Sequence, residues 1–193
     1  MKKLFPLFIF SLALIVSACS GSSDQQQSAE GSAEETETTT MEAEGRTIDV
    51  YGIDRMKYVV KDTTGGVMVG ESVEVNGETY YLLEGISAET GEELTVKLTT
   101  ISSLPATAMA HNFVLLQGDA DAQEFVNASM KAKDNNYIAP GMTDVILEQT
   151  DMVGGGENTQ VSFSAPEEAG DYEYLCSFPG HYAAGMKGIL SVQ

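Results

Sequence analysis

Within eleven residues near the C-terminus, Cys176-Ser-Phe-Pro-Gly-His181-Tyr-Ala-Ala-Gly-Met186, the chain places a thiol, an imidazole and a thioether. Side chains of these three types can ligate a single metal. Thiolate and thioether suit Cu(I), imidazole suits both copper oxidation states, and two histidines, a cysteine and a weak axial methionine make up a blue-copper electron-transfer site. The second imidazole has to be His111, because the chain contains only 2 histidines. Zinc also accepts two histidines and a cysteine with an open position, but a thioether is a poor zinc ligand. The set therefore predicts one type 1 copper held by His111, Cys176, His181 and, axially, Met186.

Each residue alone has a plainer explanation. Met186 is one of 9 methionines, most of which would fill a core. His111 could be an ordinary hydrogen-bonded histidine, and a buried thiol is usually an inert small hydrophobe. Joint spacing is what selects metal binding. The same census weighs the function classes: a nitrite reductase or multicopper oxidase needs further histidine-rich centres, so 2 histidines predict no enzyme unless another subunit donates ligands. A copper-binding carrier without a redox shuttle role is the alternative to a one-electron carrier, and it would favour Met- or His-rich tracts. No such tract occurs in the sequence.

The elements that must position these ligands are short strands. Leu94, Val96 and Leu98 alternate with Thr95, Lys97 and Thr99, the period of a strand with one face on a core and one in water. The same period recurs at Val73 and Val75, at Val161 and Phe163, and at Tyr172, Tyr174 and Cys176. Phe113-Val-Leu-Leu116 reads as the strand beside His111. Asn76-Gly77 signals a tight hairpin turn, since both positions tolerate positive φ. This punctuation predicts an all-β, Greek-key β-sandwich or barrel. Residues 121–133, with Phe125, Val126 and Met130 at near-helical spacing, predict a short helical flap inserted between strands. In the ligand loop, a strand ending at Cys176 sets the thiolate at the rim of the fold, Pro179 stiffens the turn, and Gly180 and Gly185 permit backbone angles that bulkier residues resist.

The N-terminal part has another character. Lys2 and Lys3, an apolar stretch from Leu4 to Val16 and the ending Val16-Ser17-Ala18-Cys19 read as a signal peptide over residues 1–18. The stretch is too short to favour a spanning helix of about 20 apolar residues. Its ending resembles a bacterial lipobox, which implies lipidation of Cys19; an ordinary secretory signal with Cys19 incidental is the alternative. Residues 19–45 form an acidic tether: from Ser20 to Gly45 there are seven acidic residues, no basic one, and no aromatic, Val, Ile or Leu. Such a segment has nothing to bury and cannot offset the entropy of ordering. The remaining residues, 46–193, suit one domain.

Charge bears on partners. The whole chain carries a formal charge of −19, and residues 46–193 hold 22 acidic and 8 basic residues. That balance disfavours nucleic acid and anionic membrane surfaces and suits steering toward a basic redox protein such as a c-type cytochrome.

The motifs Gly170-Asp-Tyr-Glu-Tyr-Leu-Cys176, Cys176-Ser-Phe-Pro-Gly-His181, Met186-Lys-Gly188 and Met109-Ala-His111-Asn112-Phe resemble those of the cupredoxins, and among them the azurin-like branch and the auracyanins. The likeness covers roughly residues 46–193. It implies a cupredoxin-like fold, a mononuclear blue copper, and electron transfer in a respiratory or photosynthetic chain, with a membrane electron-transfer complex as a further possible partner and a monomeric domain. It further implies that the backbone N–H groups of Asn112 and Phe178 donate to the Cys176 sulfur. It also implies that the His181 edge is the exit for the electron, inside an apolar patch of Pro179, Tyr182, Ala183 and Ala184, with Phe178 beside them. Taken with the lipobox, the expected location is an exported lipoprotein, anchored to a membrane and facing the periplasm or cell exterior. Two departures stand out. The four residues Tyr182–Gly185 between His181 and Met186 are one more than in azurins, and match auracyanins. Ala110 stands where azurins have Gly, which leaves a carbonyl contact to the metal open, and no cysteine is available for the azurin disulfide.

Overall fold

The computed structural model describes residues 45–193. The expected signal peptide, the Cys19 anchor and the acidic tether as far as residue 44 lie outside the described residues. Twelve strands follow: β1 (Arg46–Ile53), β2 (Lys57–Val60), β3 (Val67–Val75), β4 (Glu78–Ala88), β5 (Glu93–Ile101), β6 (Ala110–His111), β7 (Val114–Leu116), β8 (Ile146–Gln149), β9 (Val153–Gly154), β10 (Asn158–Ser164), β11 (Gly170–Leu175) and β12 (Lys187–Val192). One helix, α1 (Ala122–Ser129), and two short 3₁₀ turns lie between β7 and β8.

Hydrogen bonding runs in the order β10-β5-β1-β2-β4-β12-β11-β7-β8, with β3 paired to β4, and β6 pairing separately with β9. The two end strands, β10 and β8, approach each other, so the sheet nearly closes into a barrel. Closure covers the strand edges, which would otherwise be sites for unwanted pairing. The expected all-β barrel with one short helix is what the chain forms.

Alternation explains the core. In β5, Leu94, Val96 and Leu98 are buried while Glu93 and Lys97 face water, and β10 and β1 flank it with the same period. The hairpin from β3 to β4 turns at Asn76 (φ 52°) and Gly77 (φ 81°), as the Asn-Gly pair predicts. The flap begins one residue after Asp121, whose carboxylate accepts the Glu124 N–H at 2.9 Å and caps the helix. Phe125 and Val126 are buried against Val114, Leu116 and Leu175. Met130 departs from the expected pattern: it is the C-cap and 46% exposed, because the helix ends before its face returns to the core.

Beneath the ligand loop lie three fully buried aromatic residues. Phe113 and Tyr174 stack at 4.9 Å between ring centroids, and Tyr58 tilts against Tyr174 at 5.9 Å. Tyr58 comes from β2, Phe113 directly precedes β7 and Tyr174 lies in β11. Their packing links β2 to the segment that follows His111 and to the strand that leads into Cys176.

Candidate metal centre

His111 ends β6, where it pairs with Val153 of β9. Cys176 follows β11 directly, so the strand ends at Leu175, one residue earlier than its alternation suggests. From there the chain turns back through Phe178, whose carbonyl accepts the His181 N–H at 3.1 Å, and reaches Met186, whose N–H donates to the His181 carbonyl at 2.9 Å. The Cys176 N–H donates to the Met186 carbonyl at 3.1 Å, which lays Met186 alongside the cysteine as β12 begins. Gly180 (φ 86°) and Gly185 (φ 88°) both occupy the left-handed region, where a side chain would strain the turn.

This folding brings together three of the four expected ligand side chains. The donor atoms of His111, Cys176 and His181 all lie within 4.8 Å of one another. Cys176 Sγ is 3.4 Å from His181 Nδ1, and the two imidazole rings are 4.9 Å apart. Met186 is fully buried and belongs to the same apolar cluster as Cys176 and Phe178.

Burial sets the protonation of the group. Loss of hydration pushes His111 down to about 3, helped by repulsion from His181, and pushes His181 down to about 4. Both imidazoles are therefore neutral near pH 7 and available as ligands. Burial pushes the Cys176 thiol up to about 12, against the opposing pull of the Asn112 and Phe178 backbone N–H groups, which favour the thiolate.

The decisive detail is His111. It is completely buried, and neither its Nδ1 nor its Nε2 has a hydrogen-bond partner among the described residues. A buried polar atom without a partner is costly and rare. Soft sulfur beside two neutral imidazoles is a donor set for copper, and a cation bonded to a His111 nitrogen removes the deficit, so the residues present fit that metal.

The surroundings hold the donors in place. Asn112 Nδ2 donates to Ser177 Oγ and the Ser177 N–H donates to Asn112 Oδ1, both at 2.9 Å. Phe178 lies 4.7 Å from the His181 ring and is itself backed edge-on by Tyr137 at 5.1 Å. Phe178 is thus buried as packing rather than presented as surface. Pro179, Tyr182 and Ala184 are partly exposed and Ala183 is exposed, while His181 itself is 2% exposed.

Two contributors escape a reading of the sequence alone. A Cβ on Gly52 of β1 would lie 2.5 Å from His111 Cδ2 and 2.6 Å from Cγ, so the His111 ring rests directly on that glycine. Tyr58 of β2 donates its hydroxyl to the Asn112 carbonyl. Neither carries a sequence signal of its own, because each acts through a strand remote in the chain.

Residues 67–193 match the family described as copper binding proteins, plastocyanin/azurin family. Azurin-1 of Alcaligenes xylosoxydans xylosoxydans is 42% identical over 104 residues, covering 52% of this chain and 78% of its own. Auracyanin-B of Chloroflexus aurantiacus is 43% identical over 83 residues, 42% of this chain and 35% of its own. The crystal structure of reduced auracyanin from the photosynthetic bacterium Roseiflexus castenholzii superposes with a TM-score of 0.57 at 24% identity, over 77% of this chain and 98% of that one.

Proposed function

Because the chain belongs to the plastocyanin/azurin family of copper-binding proteins, we propose that it is a one-electron carrier in a membrane-associated respiratory or photosynthetic chain, with His111, Cys176, His181 and Met186 as the residues that would hold the copper. The observation that carries this reading is the buried His111, its nitrogens unpartnered among the described residues, within 4.8 Å of the Cys176 and His181 donors. Copper, when bound, supplies the one-electron couple. The protein's part is to keep the donors still while charge changes. Three of the proposed ligands are wholly buried and the fourth is nearly so, and the loop that carries Cys176, His181 and Met186 is tied down by the Cys176–Met186 and Met186–His181 backbone bonds.

His181 lies just under a surface formed by Pro179, Tyr182, Ala183 and Ala184. A small apolar contact there suits an electron-transfer encounter, which buries less than about 1,200 Å² so that partners can separate. The acidic balance favours a basic partner such as a c-type cytochrome. Association should slow as salt is added; a rate independent of ionic strength would remove that partner class. Lipidation at Cys19 would keep the domain at a membrane, and Cys19→Ala should release the protein to the soluble fraction.

The test of the central reading is a visible spectrum with EPR on the Cu(II)-loaded protein, before and after reduction with ascorbate. An intense blue band and a narrow copper hyperfine splitting, both reversibly lost on reduction, are the expected outcome. A colourless metal-bound protein would overturn the electron-transfer reading. Prompt loss of Cu(I) to a mild chelator would favour a copper carrier instead.

A further inference from the structure

Strand β2 carries two adjacent residues that reach opposite halves of the ligand set. Tyr58 faces the core, where its hydroxyl donates to the Asn112 carbonyl. The same peptide unit is held at its other end, since the Phe113 N–H donates to Thr150 Oγ1 at 2.9 Å. The peptide that follows His111-Asn112 is thus fixed from both sides. Lys57, on the other face of the strand, extends its ammonium to the Ala184 carbonyl in the loop between His181 and Met186. The Ala184 N–H is bonded as well, to the Gly180 carbonyl at 3.0 Å. A Cβ on Gly185 would lie 2.7 Å from Lys57 Nζ, so the residue before Met186 packs closely on the lysine.

β2 is itself held on both sides, by β1 and by β4. A segment tied to it cannot move without breaking a bond or shifting a central strand. The His111 segment and the Met186 loop are far apart in sequence, and their relative position is what a metal ligated by both would sense. We infer that Lys57 and Tyr58 are positioning residues: together they clamp the Asn112 carbonyl and the Ala184 carbonyl to one strand, and so fix His111 relative to the His181–Met186 loop. Neither residue is a ligand, and neither carries a recognisable motif. The inference rests on the copper reading above.

Three variants of the full chain, loaded with Cu(II), test it: Tyr58→Phe, Lys57→Met and Lys57→Arg. Tyr58→Phe removes only the hydroxyl, Lys57→Met removes donor and charge, and Lys57→Arg keeps both. The readouts are the position and intensity of the charge-transfer band and the copper hyperfine splitting, which follow ligand geometry. Tyr58→Phe and Lys57→Met are expected to bind one copper each with a shifted band and an altered splitting, and Lys57→Arg to return both toward the unaltered values. Spectra of Tyr58→Phe and Lys57→Met that superimpose on the unaltered protein would overturn the inference. So would a Lys57→Met protein whose reduction potential changes while band and splitting do not, because Lys57 would then act only as a remote charge. Lys57 is partly exposed, so the Lys57 pair decides the matter even if Tyr58→Phe fails to fold. An unaltered chain without a blue band would instead remove the copper reading itself, and this inference with it.

Discussion

Asn112 and Ser177 are joined by two reciprocal hydrogen bonds of 2.9 Å, side-chain amide to hydroxyl and backbone N–H to side-chain carbonyl, across 65 positions of sequence. Each is the immediate neighbour of a proposed ligand, His111 or Cys176. Both residues are buried, so losing one partner leaves the other without water to replace it. An orphaned buried group costs about 1–3 kcal/mol. Asn112→Leu orphans both the Ser177 hydroxyl and its N–H and should lower unfolding free energy by roughly 2–4 kcal/mol. Ser177→Ala removes only the hydroxyl and should cost less. Urea unfolding of the two variants, with and without copper, measures the difference; equal and negligible losses would show that the pair does not join the two segments.

Gly52 sets the height of the His111 ring. Since a Cβ there would come within 2.6 Å of two ring carbons, Gly52→Ala must displace either the ring or β1. β1 is paired along its length with β5, so the ring is the softer element. Overpacking of this kind costs about 1–3 kcal/mol, which corresponds to roughly five- to 150-fold in affinity. Copper affinity should fall by that factor while far-UV circular dichroism stays unchanged. Unchanged affinity would mean that the ring has another place to go.

These two examples also show what the sequence discloses and what it hides. Cys176 and His181 are legible because one loop carries them at fixed spacing, and His111 is legible because only one other histidine exists; Met186, at the end of the same loop, stays a proposed ligand. The β5 strand and the Asn76-Gly77 turn are legible because period 2 and positive φ leave local marks. Gly52 and Tyr58 leave none. Their roles arise from contacts of β1 and β2 with the His111-Asn112 segment, 54 residues apart in the case of Tyr58 and Asn112, which no window of sequence contains. Met130 illustrates the converse: helical spacing extends to it, but the helix stops at Ser129 and the side chain turns to solvent. The burial of Phe178 likewise depends on Tyr137, which lies beyond the flap and 41 residues before Phe178 in the chain.

Copper uptake should release a proton. The Cys176 thiol, pushed up to about 12 by burial, is protonated in the metal-free protein at neutral pH, whereas a thiolate is what ligates. Both histidines are already neutral above about pH 5. One proton per copper, and about a tenfold gain in affinity per pH unit between pH 5 and pH 9, are therefore expected. A pH-indicator dye in weakly buffered solution counts the protons. No release would mean that the sulfur is ionised before the metal arrives.

The metal-free protein should weaken in mild acid. His111 and His181 titrate near their ordinary value of 6.5 when unfolded, but near 3 and 4 when folded. Below pH 6.5 the unfolded chain therefore binds more protons, and stability falls as pH drops. The loss approaches about 1.4 kcal/mol per pH unit for each histidine within the window. Urea midpoints of the metal-free protein at pH 7.5 and pH 5 report it. Equal midpoints would contradict the burial of neutral imidazoles.

Met186 offers the sharpest separation of ligand from core residue. It is fully buried, its backbone bonds to both Cys176 and His181, and a core methionine would satisfy those facts equally well. Replacing it with Gln keeps the length and flexibility of the side chain but exchanges a soft sulfur for a harder oxygen. If the side chain lies on the axial position, the oxygen favours Cu(II) over Cu(I) and the reduction potential falls, while the blue band persists because it belongs to the Cys176 thiolate. If Met186 is only packing, the potential stays near its original value and the cost appears as lost stability from the buried amide. Redox titration beside thermal unfolding of Met186→Gln distinguishes the two, and a lowered potential with colour retained is the expected result.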